Sequence, residues 1–322
     1  MYMNDKPTHI KLMSYNIGGG RKNLGSKFDD IVHVIKENVP DILAIQETAE
    51  WEDLSGNRES QLQRIASEAL STHQRYFGPT LSMRADFHPR KALFIHGVFN
   101  DWKDWAQGNA LFSLWPFVRL GDINRPGQPE NIPLYRPIYS GNRDTDPRYV
   151  ILSRIKISSL GIFVLVTHLT TLAGERKTIS SDGGTNEIPG KDMEAQGIRE
   201  EQSKLLLGLM NEFIIKRNEP AILMGDLNAT ASEPCIADVL EAKGGLFRLL
   251  PKDNTPTHLK LSEPVDHILV FPGRKRIEYN CSVINDQFKA SDHNPVVAEI
   301  DIYDEDSDTC KQHGPGVVRV DT

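Results

Sequence analysis

The sequence predicts an α/β protein, because apolar runs of strand length alternate along the chain with segments that have the periodicity of amphipathic helices. Residues 221–224 form a fully apolar run that reaches Gly225 and then gives way to polar residues, which is typical of a buried strand and its end. Residues 28–39 and 59–70 place apolar side chains on one helical face, and Pro40 stops the first of these helices. The chain has 322 residues, of which 39% are hydrophobic and 25% charged, so it can form an ample core.

Polar side chains stand at the ends of most of the predicted strands. Asn16 follows a strand predicted at residues 10–15, and Glu47 follows a strand predicted at residues 41–45. A short sequence such as Gly-Asp-x-Asn is by itself ordinary turn chemistry, but the same arrangement recurs along the chain. We therefore expect the strand ends to meet at one polar rim. Its expected members are Asn16, Glu47, His168, Asp226, Asn228, Asp266, Asp292 and His293.

Residues 84–148 differ in composition from the rest of the chain. Trp102, Trp105 and Trp115 lie here, and the part that follows Trp115 is dense in proline and glycine. One interpretation is a substrate-facing loop whose aromatic surfaces stack on a base, a sugar or a lipid headgroup. The alternative is a rigid capping loop with buried tryptophans, and the sequence favours neither.

The second half of the chain contains another polar segment and two further predicted helices. Residues 172–197 are polar and glycine-rich and closely follow His168, so we expect them either to fold over the site as a lid or to be disordered. Apolar periodicity predicts one helix that begins at residue 194 and a shorter one over residues 234–243. His258 is expected at the surface.

The polar strand ends are spread from the first predicted strand to the last, so no division of the chain leaves a complete site. We therefore expect one domain over residues 1–303, with insertions near residues 115–147 and 172–197. Residues 304–322 are acidic, and we expect them to form a disordered tail without a catalytic role.

Charge and cysteine usage limit the classes of protein that this chain can represent. A net charge of -7 argues against a broad, sequence-independent nucleic-acid surface, but it allows a nuclease with a local basic rim. The first residues lack the apolar core of a signal peptide, and no apolar run approaches the length of a membrane span. Cys235, Cys281 and Cys310 are odd in number and widely spaced, which fits a reducing compartment. We therefore expect a cytoplasmic protein without a membrane span.

A series of short motifs resembles that of a known superfamily. The motifs stand here as SYN, IQE, THL, GDLN, VDHILV and SDHNP, and they span residues 10–300. With its motifs in this order, the chain resembles the endonuclease/exonuclease/phosphatase superfamily, which includes deoxyribonuclease I-like and exonuclease III-like enzymes. The resemblance implies a four-layer α/β sandwich, with two packed mixed β-sheets flanked by helices. It also implies an enzyme that hydrolyses phosphoester bonds with a bound Mg²⁺ or Mn²⁺.

The resemblance further implies which residues bind the metal and the substrate. Glu47, Asn16 and Asp292 would supply hard oxygen ligands, which Mg²⁺ and Mn²⁺ prefer. Asn109 matches an amide of the superfamily that lies near the phosphate, and Arg148 matches in position an arginine that often precedes the next strand. These two residues are therefore the implied substrate-binding pair.

The resemblance assigns the remaining rim residues to catalysis. Asp226 would orient or deprotonate the attacking water, and Asn228 would hold that water or a phosphate oxygen. His293 would face the phosphate as an imidazolium, with Asp266 as its carboxylate partner. His168 would contact another phosphate oxygen.

Three functions remain open on this basis. A nuclease-like phosphodiesterase that acts on DNA or RNA is preferred, so a nucleic acid is a candidate partner besides other phosphoester substrates. A phosphatase or phosphodiesterase for a small phosphorylated metabolite or lipid headgroup is the alternative, which the acidic composition supports. A catalytically inactive binding scaffold is less favoured, because none of the expected carboxylates and histidines is missing. No obligatory protein partner is expected.

Overall fold

The computed structural model describes residues 6–18, 26–86, 102–141, 143–176, 187–252, 255–285 and 290–304. Residues 177–186 of the predicted polar segment and residues 305–322 of the predicted tail lie outside the described residues. The expectations of disorder for these residues, and the domain boundary at residue 303, therefore stay predictions.

The first of two β-sheets brings the segments of Asn16 and Glu47 together. Its seven strands have the spatial order 14-15-1-2-5-4, with the third strand paired to the second. Asn16 and Gln46 are neighbours, because the first two strands run parallel and the second continues beyond the end of the first. The strands are β1 (Thr8–Asn16), β2 (Ile42–Asp53), β3 (Arg58–Ser60), β4 (Gln74–Ser82), β5 (Trp102–Ser113), β14 (Lys275–Val283) and β15 (Val296–Asp304).

The second sheet aligns three of the predicted catalytic residues across adjacent strands. Its eight strands have the order 12-13-11-10-9-6-7, with the eighth paired to the ninth. His168 is the register partner of Asp226, which in turn is the register partner of Asp266. The strands are β6 (Phe117–Arg119), β7 (Asp122–Pro126), β8 (Glu130–Tyr135), β9 (Arg148–Ile157), β10 (Leu160–His168), β11 (Ala221–Asp226), β12 (Phe247–Arg248) and β13 (Asp266–Phe271).

Helices cover the outer face of each sheet, and three apolar clusters hold the layers together. One cluster lies between the sheets and includes Leu12 of β1 and Val164 of β10. A second joins the first sheet to two helices, and a third joins the second sheet to two others. The structure thus confirms the four-layer sandwich of two mixed sheets flanked by helices. The helices are α1 (Ser26–Asn38), α2 (Gln61–Glu68), α3 (Met83–Asp86), α4 (Lys191–Phe213) and a π-helix (Cys235–Lys243), with 3-10 turns at Arg143–Thr145 and Ile215–Arg217.

Most predicted helices are confirmed, with one shifted start. The helix predicted over residues 59–70 begins only at Gln61, because Arg58–Ser60 pairs with β2 as the short strand β3. The oxygen of Ser60 then accepts a hydrogen bond from the backbone N–H of Gln63 and caps the helix. Among the residues that the structure describes, no helix is both long and apolar enough to cross a membrane.

The proline-rich insertion predicted as a loop near residues 115–147 contains three short strands. It supplies β6, β7 and β8, of which β6 and β8 hydrogen-bond to β9 and so widen the second sheet. Trp105 is only 4% exposed, and Trp115 packs against the cluster between the sheets. Trp105 is therefore buried as in the second alternative, although it lies in β5 and not in a loop, and Trp115 is partly buried. The side chain of Trp102 is outside the described part.

Gly225 allows β11 to deliver Asp226 next to β10. A Cβ atom at this position would lie 1.9 Å from the carbonyl oxygen of Thr167, and the φ angle of Gly225 is 154°.

We expect Gly225→Ala to lower the free energy of unfolding by at least about 2 kcal/mol in urea denaturation, because the strand backbone must move. Gly197→Ala is the matched control. Gly197 lies exposed in α4 with no atom within 4 Å of an added Cβ, so alanine should be neutral or stabilising. Similar unfolding midpoints for the two variants would contradict the expectation.

Candidate active site

The strand ends surround a cavity of about 850 Å³. Most of the predicted site residues line it, from Glu47 of the first sheet to Asp226 of the second. Asn16 and Asp266 do not line the cavity, but each is hydrogen-bonded to a residue that does. The structure therefore brings all the predicted site residues into one place. Those in the cavity wall are Glu47, Asn109, Arg148, His168, Asp226, Asn228, Asp292 and His293.

Asp226 is a buried carboxylate at the centre of the site. Its Oδ2 accepts a hydrogen bond from Nδ2 of Asn16 at 2.9 Å, and its Oδ1 accepts one from the backbone N–H of Asn228 at 2.8 Å. Burial and the charge of the cross-strand neighbour Asp266 raise the pKa of Asp226, although the charge of His293 opposes this shift. A carboxylate with a raised pKa is a stronger base than an ordinary aspartate.

His293 forms a charged pair with Asp266. Its Nδ1 lies 2.8 Å from Oδ2 of Asp266, and its Nε2 lies 3.7 Å from Oδ2 of Asp226. Burial disfavours the imidazolium, but the charges of Asp266 and Asp226 outweigh it and raise the pKa of His293 to about 10. The pairing predicted between His293 and Asp266 is therefore present in the structure, and the ring carries a positive charge at neutral pH.

His168 has the opposite protonation state. Its Nε2 accepts a hydrogen bond from Nδ2 of Asn228 at 3.0 Å, which leaves the ring proton on Nδ1. Burial and the charges of Arg148 and His293 lower the pKa of His168 well below its usual value. The second amide proton of Asn228 goes to the carbonyl oxygen of Leu169 at 3.1 Å. His168 and Asn228 thus form a neutral pair beside the charged one.

Glu47 reaches the cavity through an irregularity in β2. The register with β5 shifts between Ile45 and Thr48, and Glu47 has a φ of 59°, in the left-handed region. Burial raises the pKa of Glu47, the charges of His293 and Arg148 lower it, and the carboxylates Asp226 and Asp292 raise it. A local backbone distortion at a residue that faces a cavity indicates a functional position.

The oxygen donors around Glu47 fit a hard divalent cation. Glu47 is a partly buried carboxylate, Asp292 is more exposed, and both line the same cavity. The negative charge of Asp292 acts on Glu47 and raises its pKa, a repulsion that a divalent cation would neutralise. The atoms of Asp226, Asp266 and His293 also lie within 4.8 Å of one another. That cluster suits a cation less well, because its histidine is already protonated.

Asn16 does not turn its oxygen toward the carboxylates. Its Oδ1 accepts a hydrogen bond from the backbone N–H of Gly18 at 2.9 Å, whereas its Nδ2 donates to Asp226 and, at 3.5 Å, to Oε1 of Glu47. In this arrangement Asn16 positions two carboxylates. The role of Asn16 as a metal ligand stays a prediction. It requires the side-chain amide to flip, so that Oδ1 points toward the carboxylates.

The predicted substrate-binding pair, Asn109 and Arg148, also lines the cavity. Nδ2 of Asn109 donates to the carbonyl oxygen of Tyr149 at 3.4 Å. Arg148 is 6% exposed, its Nη2 lies 3.8 Å from Oδ2 of Asp146, and its Nε has no hydrogen-bond partner within the described residues. Burial raises the pKa of Asp146 to about 6, so this carboxylate is a weak partner for the guanidinium. A buried guanidinium with unused donors is suited to an anionic ligand.

Some residues of the cavity wall were not predicted from the sequence. His258, which was expected at the surface, packs edge-on against His293 with 4.6 Å between ring centroids. Its Nδ1 accepts the backbone N–H of Lys260, and burial lowers its pKa to about 4, so the ring is neutral. The expectation was wrong because the segment of His258 forms a β-bridge with His293, a contact without a sequence signal. Arg176 also lines the cavity, and its place in the polar segment after His168 was the available signal.

A buried ion-pair network fixes that polar segment to α4. Arg199 of α4 is 2% exposed and donates to Oε2 of Glu175 at 3.0 Å and to Oε2 of Glu233 at 2.8 Å. It also donates to the carbonyl oxygen of Thr170 at 3.1 Å. The network therefore joins the segment after His168 to the segment after Asn228.

We expect Arg199→Met to lower the free energy of unfolding by about 3–5 kcal/mol, because it leaves two carboxylates buried without their cation. Urea denaturation monitored by circular dichroism would measure the change. Arg64→Met is the control, since Arg64 pairs with Asp29 and Glu68 on the exposed faces of the helices, where such pairs contribute up to about 1 kcal/mol. Equal losses of unfolding free energy in the two variants would show that the buried network stabilises the fold no more than an exposed ion pair does.

The fold and the site together define a hydrolase of the α/β sandwich type with a metal-compatible polar centre. The model of the Endonuclease/Exonuclease/phosphatase family matches residues 13–293. The chain therefore belongs to this family and is an enzyme that hydrolyses phosphoester bonds. A comparison with curated protein sequences found no match.

Several solved structures have the same fold as this chain. An endonuclease/exonuclease/phosphatase from Beutenbergia cavernae DSM 12333 has a TM-score of 0.62 and 18% identity, covering 92% of this chain and 72% of that chain. The human Nocturnin catalytic domain with bound sulfate has a TM-score of 0.59 and 18% identity, with 92% and 96% covered. A mannosyl-6-phosphatase from Bacteroides thetaiotaomicron VPI-5482 has a TM-score of 0.59 and 16% identity, with 90% and 99% covered. At these identities the likeness shows the fold alone.

Proposed function

We propose that this protein is a Mg²⁺-dependent phosphoesterase that acts on a small phosphorylated substrate. The observation that carries the proposal is the imidazolium of His293, which two carboxylates hold in a cavity beside the unpaired Nε of Arg148. Phosphoester hydrolysis requires positive charge at the transferring phosphorus and a base for the attacking water. The site supplies both types of group.

Each residue has a distinct task in this proposal. Asp226 orients the attacking water and accepts its proton, which its raised pKa favours. His293 donates from Nε2 to a phosphate oxygen and stabilises the developing negative charge, while Asp266 fixes its ring. Arg148 holds a further phosphate oxygen, while Asn228, whose amide protons go to His168 and to the carbonyl oxygen of Leu169, positions the His168 ring.

Glu47 and Asp292 would hold Mg²⁺ or Mn²⁺, with Asn16 as a further ligand after its amide turns over. The ion would supply Lewis-acid polarisation of a phosphate oxygen. The charges of His293 and Arg148 favour the ionised form of Glu47, although burial outweighs them and raises its pKa.

The size and charge of the cavity favour a small substrate over a long nucleic acid. A volume of about 850 Å³ accommodates a drug-sized or metabolite-sized molecule. The net charge of -7 disfavours extended binding to a polyanion. The mannosyl-6-phosphatase with the same fold acts on a small phosphate ester, which supports this choice. Within the described part of the chain, Cys235 and Cys281 are buried and form no disulfide, which is compatible with the expected cytoplasmic location.

A nuclease-like phosphodiesterase, which the sequence analysis preferred, is the second candidate because the two catalytic designs are alike. A screen with and without Mg²⁺ would separate them. Its substrates are p-nitrophenyl phosphate, bis(p-nitrophenyl) phosphate, sugar phosphates, mononucleotides, plasmid DNA and RNA. We expect Mg²⁺-dependent turnover of a small ester at the highest rate. Efficient cleavage of DNA or RNA with no turnover of small esters would favour the nuclease, and no turnover at all would overturn both.

A further inference from the structure

Residues 172–176, here called the 172–176 turn, form a rigid part of the cavity wall. The backbone N–H of Leu172 donates to Oε2 of Glu175 at 2.9 Å, and the buried Arg199 holds the same carboxylate. On its outer side, the backbone N–H of Ala173 donates to Oδ1 of Asp144 at 2.6 Å. The turn is therefore fixed from both sides.

Arg143, which contacts this turn, and Arg176, its last residue, both donate to backbone carbonyl groups. Nη2 of Arg143 donates to the carbonyl oxygen of Leu172 at 3.3 Å, and Nη2 of Arg176 donates to that of Asn228. Both side chains line the cavity. Because a carbonyl group carries no net charge, these bonds orient the guanidinium groups without neutralising them.

The carboxylates nearby, Asp146 for Arg143 and Glu175 for Arg176, compensate this positive charge only in part. Within the part of the chain that the structure describes, Arg143 forms no ion pair within 4.0 Å. Arg176 lies 3.5 Å from Oε1 of Glu175, but that carboxylate is already bound to Arg199 at shorter distances. The two arginines therefore line the cavity without a close carboxylate of their own: Arg143 has no ion pair within the described residues, and Arg176 shares Glu175 with Arg199.

We propose that Arg143 and Arg176 form a subsite for a second phosphate group of the substrate, next to the phosphate that is hydrolysed. The inference rests on the proposed function, because Arg176 contacts the backbone of Asn228, whose side chain belongs to the catalytic pair with His168. Guanidinium groups suit phosphate, since their forked donors match its oxygens. The substrate class is then a small phosphoester that carries two phosphates.

Calorimetric titration in Mg²⁺ tests the subsite with pairs of probes that differ by one phosphate. The pairs are fructose 1,6-bisphosphate against fructose 6-phosphate, and thymidine 3′,5′-bisphosphate against thymidine 5′-monophosphate, with a single-stranded oligothymidylate as a separate probe. We expect each bisphosphate to bind the parent protein about 10-fold tighter than its monophosphate. Arg143→Ala and Arg176→Ala should each remove most of this advantage. Arg119→Ala, at an exposed arginine outside the cavity wall, should leave it unchanged.

The outcomes distinguish this inference from the proposed function. Equal affinity for both members of each pair, or an advantage that survives in the two arginine variants, would overturn the subsite even in an active enzyme. Tight binding of the oligothymidylate alone would overturn it in favour of a nucleic-acid surface. An advantage that the variants lose supports the subsite whether or not p-nitrophenyl phosphate is hydrolysed, whereas absence of all hydrolysis counts against the proposed function only.

Discussion

Replacing His293 with alanine is expected to lower kcat by about 10²- to 10⁴-fold, which is the usual contribution of a positioned acid or base. The physical reason is the loss of an imidazolium that Asp266 and Asp226 keep charged, with a pKa of about 10. Initial rates at saturating Mg²⁺, on the best small ester found by the activity screen, would measure the change. His33→Ala, at a half-exposed histidine of α1, should retain the parent rate.

Asp266 should act through His293 and not by itself. Oδ2 of Asp266 holds Nδ1 of His293 at 2.8 Å, so Asp266→Asn should weaken both the charge and the orientation of the ring. Because residues that act as a unit are not additive, the double variant Asp266→Asn/His293→Ala should be little slower than His293→Ala alone. Multiplicative losses in the double variant would mean that the two residues work separately. In Asp266→Asn the imidazolium of His293 has lost a stabilising negative charge, so it should lose its proton at a lower pH than in the parent. As pH rises, the activity of this variant should therefore decline earlier than that of the parent.

Glu47→Gln is expected to reduce Mg²⁺-dependent activity by more than about 100-fold while the fold is retained. The substitution preserves shape but removes a carboxylate from the oxygen donors that we assign to the metal, and loss of even an outer partner of a metal ligand typically costs about 10- to 100-fold. Rates over a series of Mg²⁺ concentrations, together with calorimetric titration of Mg²⁺ alone, would measure the effect.

The matched control for Glu47→Gln is Glu59→Gln, at an exposed glutamate of β3. It changes the net charge by the same amount far from the cavity wall, so it should leave both Mg²⁺ affinity and rate unchanged. Parent-like turnover of Glu47→Gln at limiting Mg²⁺ would show that Glu47 is not a ligand.

The layers and the membership of the site were largely predictable, because both depend on patterns along the chain. Apolar periodicity indicated strands and helices, and polar residues after the strands indicated the rim, since parallel neighbours such as β10 and β11 end at one edge. The short strands β6–β8 were missed because proline and glycine in their segment mimic loop composition. The place of His258 depends on a bridge between distant segments, which leaves no local pattern.

The sequence by itself determined which residue types stand at the strand ends, because the apolar run of a strand and the polar residue after it are a local pattern. Only the tertiary structure decided their charge states. His168 and His293 are both buried and were both predicted to face a phosphate, yet His293 lies against Asp266 and Asp226, which stabilise its imidazolium. His168 accepts a hydrogen bond from the Asn228 amide, and burial together with the charges of Arg148 and His293 keeps its ring neutral. Protonation depends on the charges that surround a group in space, and folding brings those charges from distant parts of the chain.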